Sequence, residues 1–174
     1  MVNVIDNFLR KEDHFNILSV LTDVKFNWHY NNSVVYHNKA SESLYDFQFT
    51  HNFYKDNNIN SPYYSILSPI LMNLKCDLLF RAKANFRPCA PSIEISDMHI
   101  DIANPTLMEK PEVMAVMKTA IYYVNTNDGY TLFEDGTKVK SLQNRVAIFP
   151  ATTRHAGTTH TNSKNRIVIN INYL

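Results

Sequence analysis

The spacing of apolar residues changes near residue 76, from helical before it to alternating after it. Residues 2–5 (Val-Asn-Val-Ile) predict a short strand. Residues 10–21 predict a helix, because Phe15, Leu18 and Leu21 recur at helical spacing with Ile17 alongside. Residues 27–60 are rich in Asn, His, Tyr and Ser without a clean period, and predict loops with short strands able to cover a site. Ser61-Pro62 is a helix-start signal, with Ile66, Leu67, Ile70, Leu71 and Leu74 as the apolar face. Pro69 is expected to kink or restart that helix, with Ser68 as a second cap.

From residue 76 onward the pattern predicts strands over 78–86, 93–101, 118–125, 130–133, 138–141, 145–149 and 166–173. Thr126-Asn127-Asp128-Gly129 reads as a hairpin turn, and Glu134-Asp135-Gly136 as another. Helices first, then short strands joined by tight turns, predict a mainly β double-stranded β-helix, or jelly roll, with N-terminal helices packed on one sheet. Strict alternation of strand and helix is absent, which argues against a parallel sheet. The reading is of one domain, residues 1–174, with helical support and loops over 1–75 and the jelly-roll core over 76–174.

Composition narrows the function classes. Lys plus Arg number 17 and Asp plus Glu 16, so no strong field toward nucleic acid or anionic membrane is expected. No apolar run approaches the roughly 20 residues of a spanning helix. Nor does the N-terminus carry a basic head followed by an apolar stretch, so a cytoplasmic setting is expected. Cys76 and Cys89 lack zinc-site spacing and read as reduced, partly buried thiols. The three glycines, Gly129, Gly136 and Gly157, all fall in the last third, where positive φ is therefore expected.

The candidate chemistry begins at Met98-His99-Ile100-Asp101. Residues two apart on a strand share a face, about 6–7 Å apart at the backbone, so an imidazole and a carboxylate can converge on one cation. Taken alone, such a pair is usually just a polar strand face. A second imidazole, His155 in Arg154-His155-Ala156-Gly157, follows the apolar run 146–149 at the tip of a polar turn. Two histidines and one carboxylate cover one face of an octahedral metal and leave the other open, as in non-haem iron(II) oxygenases. Zinc is the competing metal, although no His-Glu-x-x-His helix supports hydrolysis. Arg166, eleven residues after His155, opens the apolar run Ile167-Val168-Ile169. A guanidinium at the start of a core strand either reaches solvent or needs an anion, and a metal-chelating dicarboxylate would supply one.

With these residues in hand, the chain resembles the 2-oxoglutarate/iron(II)-dependent dioxygenases, and most of all their prolyl 4-hydroxylase-like branch and its small single-domain phage members. The segments Thr119 to Asn125, Asp128-Gly129-Tyr130-Thr131-Leu132-Phe133 and Phe80 to Phe86 carry the resemblance. It is good from about residue 78 onward and absent from 27–60. It implies His99, Asp101 and His155 as iron ligands and Arg166 as the partner of the distal carboxylate of 2-oxoglutarate. Tyr123 and Thr131 would line the same pocket, although strand register could instead turn Tyr122 inward. Only one glycine stands where the family usually has two, and Phe86 takes a place where relatives often have a tyrosine. His160, six residues before Arg166, is the rival to His155 but falls in a polar loop. His14, His29, His37 and His51 read as surface or loop residues.

The implied reaction is hydroxylation of an unactivated C–H bond, using Fe(II), 2-oxoglutarate and O2 with ascorbate as reductant, and releasing succinate and CO2. The implied substrate is a peptidyl residue such as proline in a peptide or protein, with a small molecule as the other option. A nucleic-acid demethylase on this scaffold is disfavoured by the balanced charge. A non-catalytic jelly-roll metal- or ligand-binding module stays open, since fold alone does not decide function. Substrate choice is expected to rest on residues 27–60 and 102–117.

Overall fold

The computed structural model describes residues 1–35, 43–101 and 111–174. The elements run β1 (Asn3–Ile5), α1 (Lys11–Thr22), β2 (His29–Asn31), β3 (Gln48–Lys55), β4 (Asn58–Ile59), a 3-10 turn (Tyr64–Leu67) and α2 (Ser68–Leu74). They continue with β5 (Leu79–Pro88), α3 (Pro111–Val116), β6 (Lys118–Tyr123), β7 (Tyr130–Phe133), β8 (Lys138–Lys140), β9 (Arg145–Pro150), β10 (His155–Gly157) and β11 (Asn165–Tyr173).

Among the described residues the strands form an eight-stranded sheet in the order β1-β9-β6-β11-β5-β3-β2, with β4 beside β3. A three-stranded sheet, β10-β7-β8, packs against it. Pairing is antiparallel throughout. This is the expected jelly roll with helices on one face of the larger sheet.

Strand alternation divides the interior in two. Ala82, Ala84, Tyr122, Val146, Ile167, Ile169 and Ile171 face the helices and pack with Ile17, Leu21, Leu67, Ile70 and Leu74. Ile121, Tyr123, Ala147, Phe149 and Val168 face the smaller sheet and pack with Phe133 and Val139. The polar members of β5 and β11 therefore lie between the two sheets instead of in bulk water.

Several local expectations change. The buried face of α1 is His14, Ile17 and Leu21, while Phe15 is 58% exposed. The helix is turned so that His14 Nδ1 meets the Tyr122 hydroxyl at 2.7 Å inside the core. Among the short strands expected in residues 27–60, β3 runs to 8 residues and pairs along β5 inside the large sheet. A register shift between Asn52 and Tyr54 breaks its alternation, so no period was visible. The second helix restarts at Ser68 as expected, but Leu67 holds the cap position and no side chain caps it.

Residues 126–129 join strands of different sheets and so form a crossover, not a hairpin. The Glu134-Asp135-Gly136 turn does join a hairpin, β7 to β8. Positive φ occurs at Gly136, but also at Asn7, Asp56, Asn57, Lys75 and Asn144, so glycine positions did not mark these turns. Cys76 and Cys89 are free, the latter exposed. No helix among the described residues is long and apolar enough to cross a membrane.

Candidate metal and cosubstrate site

The segment 93–101 is not a regular strand. It touches the smaller sheet through two isolated bridges, Ile95 to Thr158 and His99 to His155. The second bridge matters most: His99 N–H donates to the His155 carbonyl at 3.0 Å, and His155 N–H donates back at 2.9 Å. This mutual pair sets the two histidines side by side, with ring centroids 4.9 Å apart. His155 opens β10, and is therefore a strand residue and not the tip of a turn. Asp101, two residues beyond His99, projects to the same place. One ligand atom from each of His99, Asp101 and His155 lies within 4.8 Å of the others.

The surroundings orient these groups. His99 Nδ1 lies 3.0 Å from the Asp97 carbonyl, and His155 Nδ1 lies 3.2 Å from that of Thr153. A ring that donates from Nδ1 keeps a lone pair on Nε2, the form that binds metals. Phe133 and Phe149 flank the His155 ring. Asp101 accepts from Asn170 Nδ2 at 3.0 Å on one oxygen and 3.2 Å on the other, and Arg81 Nη2 stands 3.1 Å away. Burial alone would raise the Asp101 carboxyl, but Arg81, His155, His99 and Lys83 outweigh it and hold it at about 2. Burial pushes His99 below its ordinary value, favouring the neutral ring. Two oriented imidazoles and an ionised carboxylate suit a divalent cation bound on one side and open on the other.

Across the same cavity stands Arg166, 5% exposed. Its Nε donates to Ser141 Oγ at 2.9 Å, and Nη2 has a long contact of 3.5 Å to Thr131 Oγ1. Among the described residues no carboxylate pairs with it, and burial lowers its pKa. Register decides between the tyrosines. Tyr123 points between the sheets, donates to Thr131 Oγ1 at 2.8 Å and lies under the guanidinium, 6.0 Å from ring centroid to carbon. Tyr122 points to the helices and hydrogen-bonds His14 and Asn144. Thr131 lines the cavity, whereas Tyr123 supports it from behind. Gly129 is required by close approach. A Cβ there would stand 2.9 Å from Arg166 Cδ, Asn127 Oδ1 and the Thr159 carbonyl.

The cavity, of about 550 Å³ including its mouth, is also lined by Lys83, Asn85, Arg87, Asn170, Gln48 and Val34. Sequence spacing alone does not mark these residues as part of a site. The available signal was the run Arg81-Ala82-Lys83-Ala84-Asn85-Phe86-Arg87, whose polar set alternates with small and apolar residues. Such a set reads as a solvent face unless a second sheet covers it. Phe86 faces away from the cavity, against Trp28 and Phe49, and Arg87 takes the inward position beside it. Lys83 is partly desolvated, which brings its ammonium down to about 8.

The other histidines lie elsewhere. His160 is fully buried with Nε2 3.1 Å from the Ser163 carbonyl and does not line the cavity. His14 and His51 are buried, correcting their surface assignment: His51 bridges the Asn27 carbonyl and Ser61 Oγ at 2.7 Å each. His29 is exposed, and His37 lies outside the described residues, as do positions 102–110 of the expected substrate segment.

No protein-family model and no curated protein matches this sequence. Solved structures do. A 2OG-Fe(II) oxygenase family oxidoreductase from Burkholderia pseudomallei superposes with TM-score 0.68 at 10% identity, over 99% of this chain and 84% of that one. The fold is that of the 2-oxoglutarate/iron(II) oxygenases. A prolyl hydroxylase from Trichoplax adhaerens, in complex with a hypoxia inducible factor oxygen degradation domain peptide fragment, matches with TM-score 0.66 at 14% identity, covering 99% and 83%. The viral collagen prolyl hydroxylase of Paramecium Bursaria Chlorella virus-1 matches with TM-score 0.55 at 14% identity, covering 99% and 90%. On this oxygenase fold, the gathered His-Asp-His set and Arg166 share one cavity between the two sheets.

Proposed function

We propose that residues 1–174 form a single iron(II)- and 2-oxoglutarate-dependent dioxygenase domain that hydroxylates an unactivated C–H bond. The observation that carries this reading is one cavity holding two convergent imidazoles, an ionised aspartate and, opposite them, a buried arginine without a carboxylate partner among the described residues. A scaffold has no reason to desolvate that guanidinium; a dicarboxylate cosubstrate gives one.

His99, Asp101 and His155 would hold the metal. Held there, iron(II) would supply, with 2-oxoglutarate and dioxygen, the oxidation of the C–H bond, with release of succinate and CO2. Asn170 and Arg81 keep Asp101 ionised and aimed. Arg166 would bind the distal carboxylate, with Ser141 and Thr131 fixing the plane of its guanidinium and Tyr123 fixing Thr131. Phe133, Phe149 and Val168 keep water from the buried side. A peptidyl residue such as proline is the substrate in this reading, in line with the prolyl hydroxylases that share the fold. A net charge of +1 gives no support to nucleic acid.

The test is succinate release by purified protein given iron(II), ascorbate and 2-oxoglutarate. A slow basal rate is expected that vanishes in His99→Ala, while Arg166→Ala raises the KM for 2-oxoglutarate by roughly 10- to 150-fold, the worth of a charged hydrogen bond. A folded, iron-loaded wild type no faster than His99→Ala would favour the non-catalytic binding module.

A further inference from the structure

We infer that the primary substrate carries a carboxylate close to the carbon that is oxidised, and that Lys83 receives it; this rests on the oxygenase reading above. Sheet register lays out the floor of the cavity. Arg87 stands opposite Arg166, Asn85 opposite Val168, and Lys83 opposite Asn170. Asn170, beside the proposed ligand Asp101, and Arg166 both stand on β11, so a cosubstrate held between them would take that side of the cavity. The parallel row on β5 is left to the primary substrate.

The cations in that row are not equivalent. Arg87 is committed, donating from Nη1 to Ser96 Oγ and from Nη2 to the Tyr45 carbonyl, both at 2.9 Å, with Asp46 and Glu94 nearby as compensating charges. Lys83 makes no hydrogen bond or ion pair among the described residues. Its neighbours Arg81 and Lys55 repel it, and the nearby carboxylate, Asp101, is already paired with Arg81 and Asn170. Beside it, Asn85 lines the cavity with its Oδ1 buried and unpartnered. An ammonium with three donors next to an idle amide is a receptor for a carboxylate with an adjoining N–H. A neutral substrate closing this cavity would instead strand Lys83 away from water with no counter-charge.

The test uses acid–amide pairs: free L-proline against L-prolinamide, and N-acetyl-Glu-Pro-amide against N-acetyl-Gln-Pro-amide. The first pair offers a main-chain carboxylate and the second a side-chain one. Binding is measured by calorimetry and thermal shift on the manganese- and 2-oxoglutarate-loaded protein without oxygen, and succinate release is measured in parallel with iron. The acid of at least one pair should bind about tenfold tighter than its amide in wild type and Lys83→Arg. The gap should close in Lys83→Met and invert in Lys83→Glu, with circular dichroism showing that each variant folds. Equal binding of acids and amides, no binding by any acid, or a gap that survives Lys83→Met overturns the inference. If basal succinate is present and only the gap is missing, the carboxylate inference alone fails; if no metal-dependent succinate forms, the oxygenase reading fails.

Discussion

Gly129→Ala tests whether Arg166, the proposed partner of the cosubstrate, is held by close packing. A Cβ at Gly129 would lie 2.9 Å from Arg166 Cδ, from Asn127 Oδ1 and from the Thr159 carbonyl. One of these is backbone, and the Asn127 side chain is tied to the Gly129 N–H at 3.0 Å, so relief falls mainly on Arg166. The Gly129 carbonyl also accepts from Ser141 N–H at 2.9 Å, and Ser141 Oγ is what holds Arg166 Nε. A shift at 129 therefore displaces the arginine and its anchor together. Overpacking of this kind costs about 1–3 kcal/mol. At roughly 2–4 °C per kcal/mol for a chain of this size, the melting temperature should fall by about 2–12 °C. The misplaced guanidinium should also raise the KM for 2-oxoglutarate by about tenfold, with metal affinity unchanged because the three proposed ligands sit across the cavity. Gly157→Ala is the internal control for stability, since its Cβ would meet only Arg166 Nη1, at an ordinary 3.8 Å. Differential scanning calorimetry and succinate kinetics on both variants decide it. A Gly129→Ala protein with wild-type melting temperature and wild-type KM would refute the packing argument.

Other outcomes follow from the same structure. Asp101 is held at about 2, below its ordinary 3.8, so its contribution to metal-free stability is present above about pH 4 and lost as pH falls through about 2. The loss should be on the order of 2 kcal/mol, read by urea unfolding at stepped pH, and Asp101→Asn should remove that part of the acid dependence. Burial lowers the pKa of His14, so stability is full above its ordinary 6.5 and declines as pH drops below it; a His14→Gln protein with an unchanged profile between pH 7 and 5 would contradict this. Ile17→Ala should destabilise by about 2–5 kcal/mol. Phe15→Ser should stay within about 0.5 kcal/mol, in contrast to the helix face read from spacing alone.

The sequence determined the class of fold, because strand alternation and helical spacing are local properties. The strands over β5, β6, β9 and β11 were legible to within a residue or two, as was the helical front of the chain. The residue types and spacing of His99, Asp101, His155 and Arg166 were legible as well, through their chemistry and their resemblance to a known pattern. Tertiary structure decided which faces are inside. Covering the polar face of β5 with a second sheet turned Lys83, Asn85 and Arg87 from an apparent solvent face into the floor of a cavity. A buried hydroxyl partner rotated α1 about His14, and register sent Tyr123 to Thr131 and Tyr122 to the helices. The pairing of His99 with His155 joins residues far apart in the chain through two backbone hydrogen bonds. Periodicity records what each residue prefers; only packing settles which of two polar faces is taken out of water.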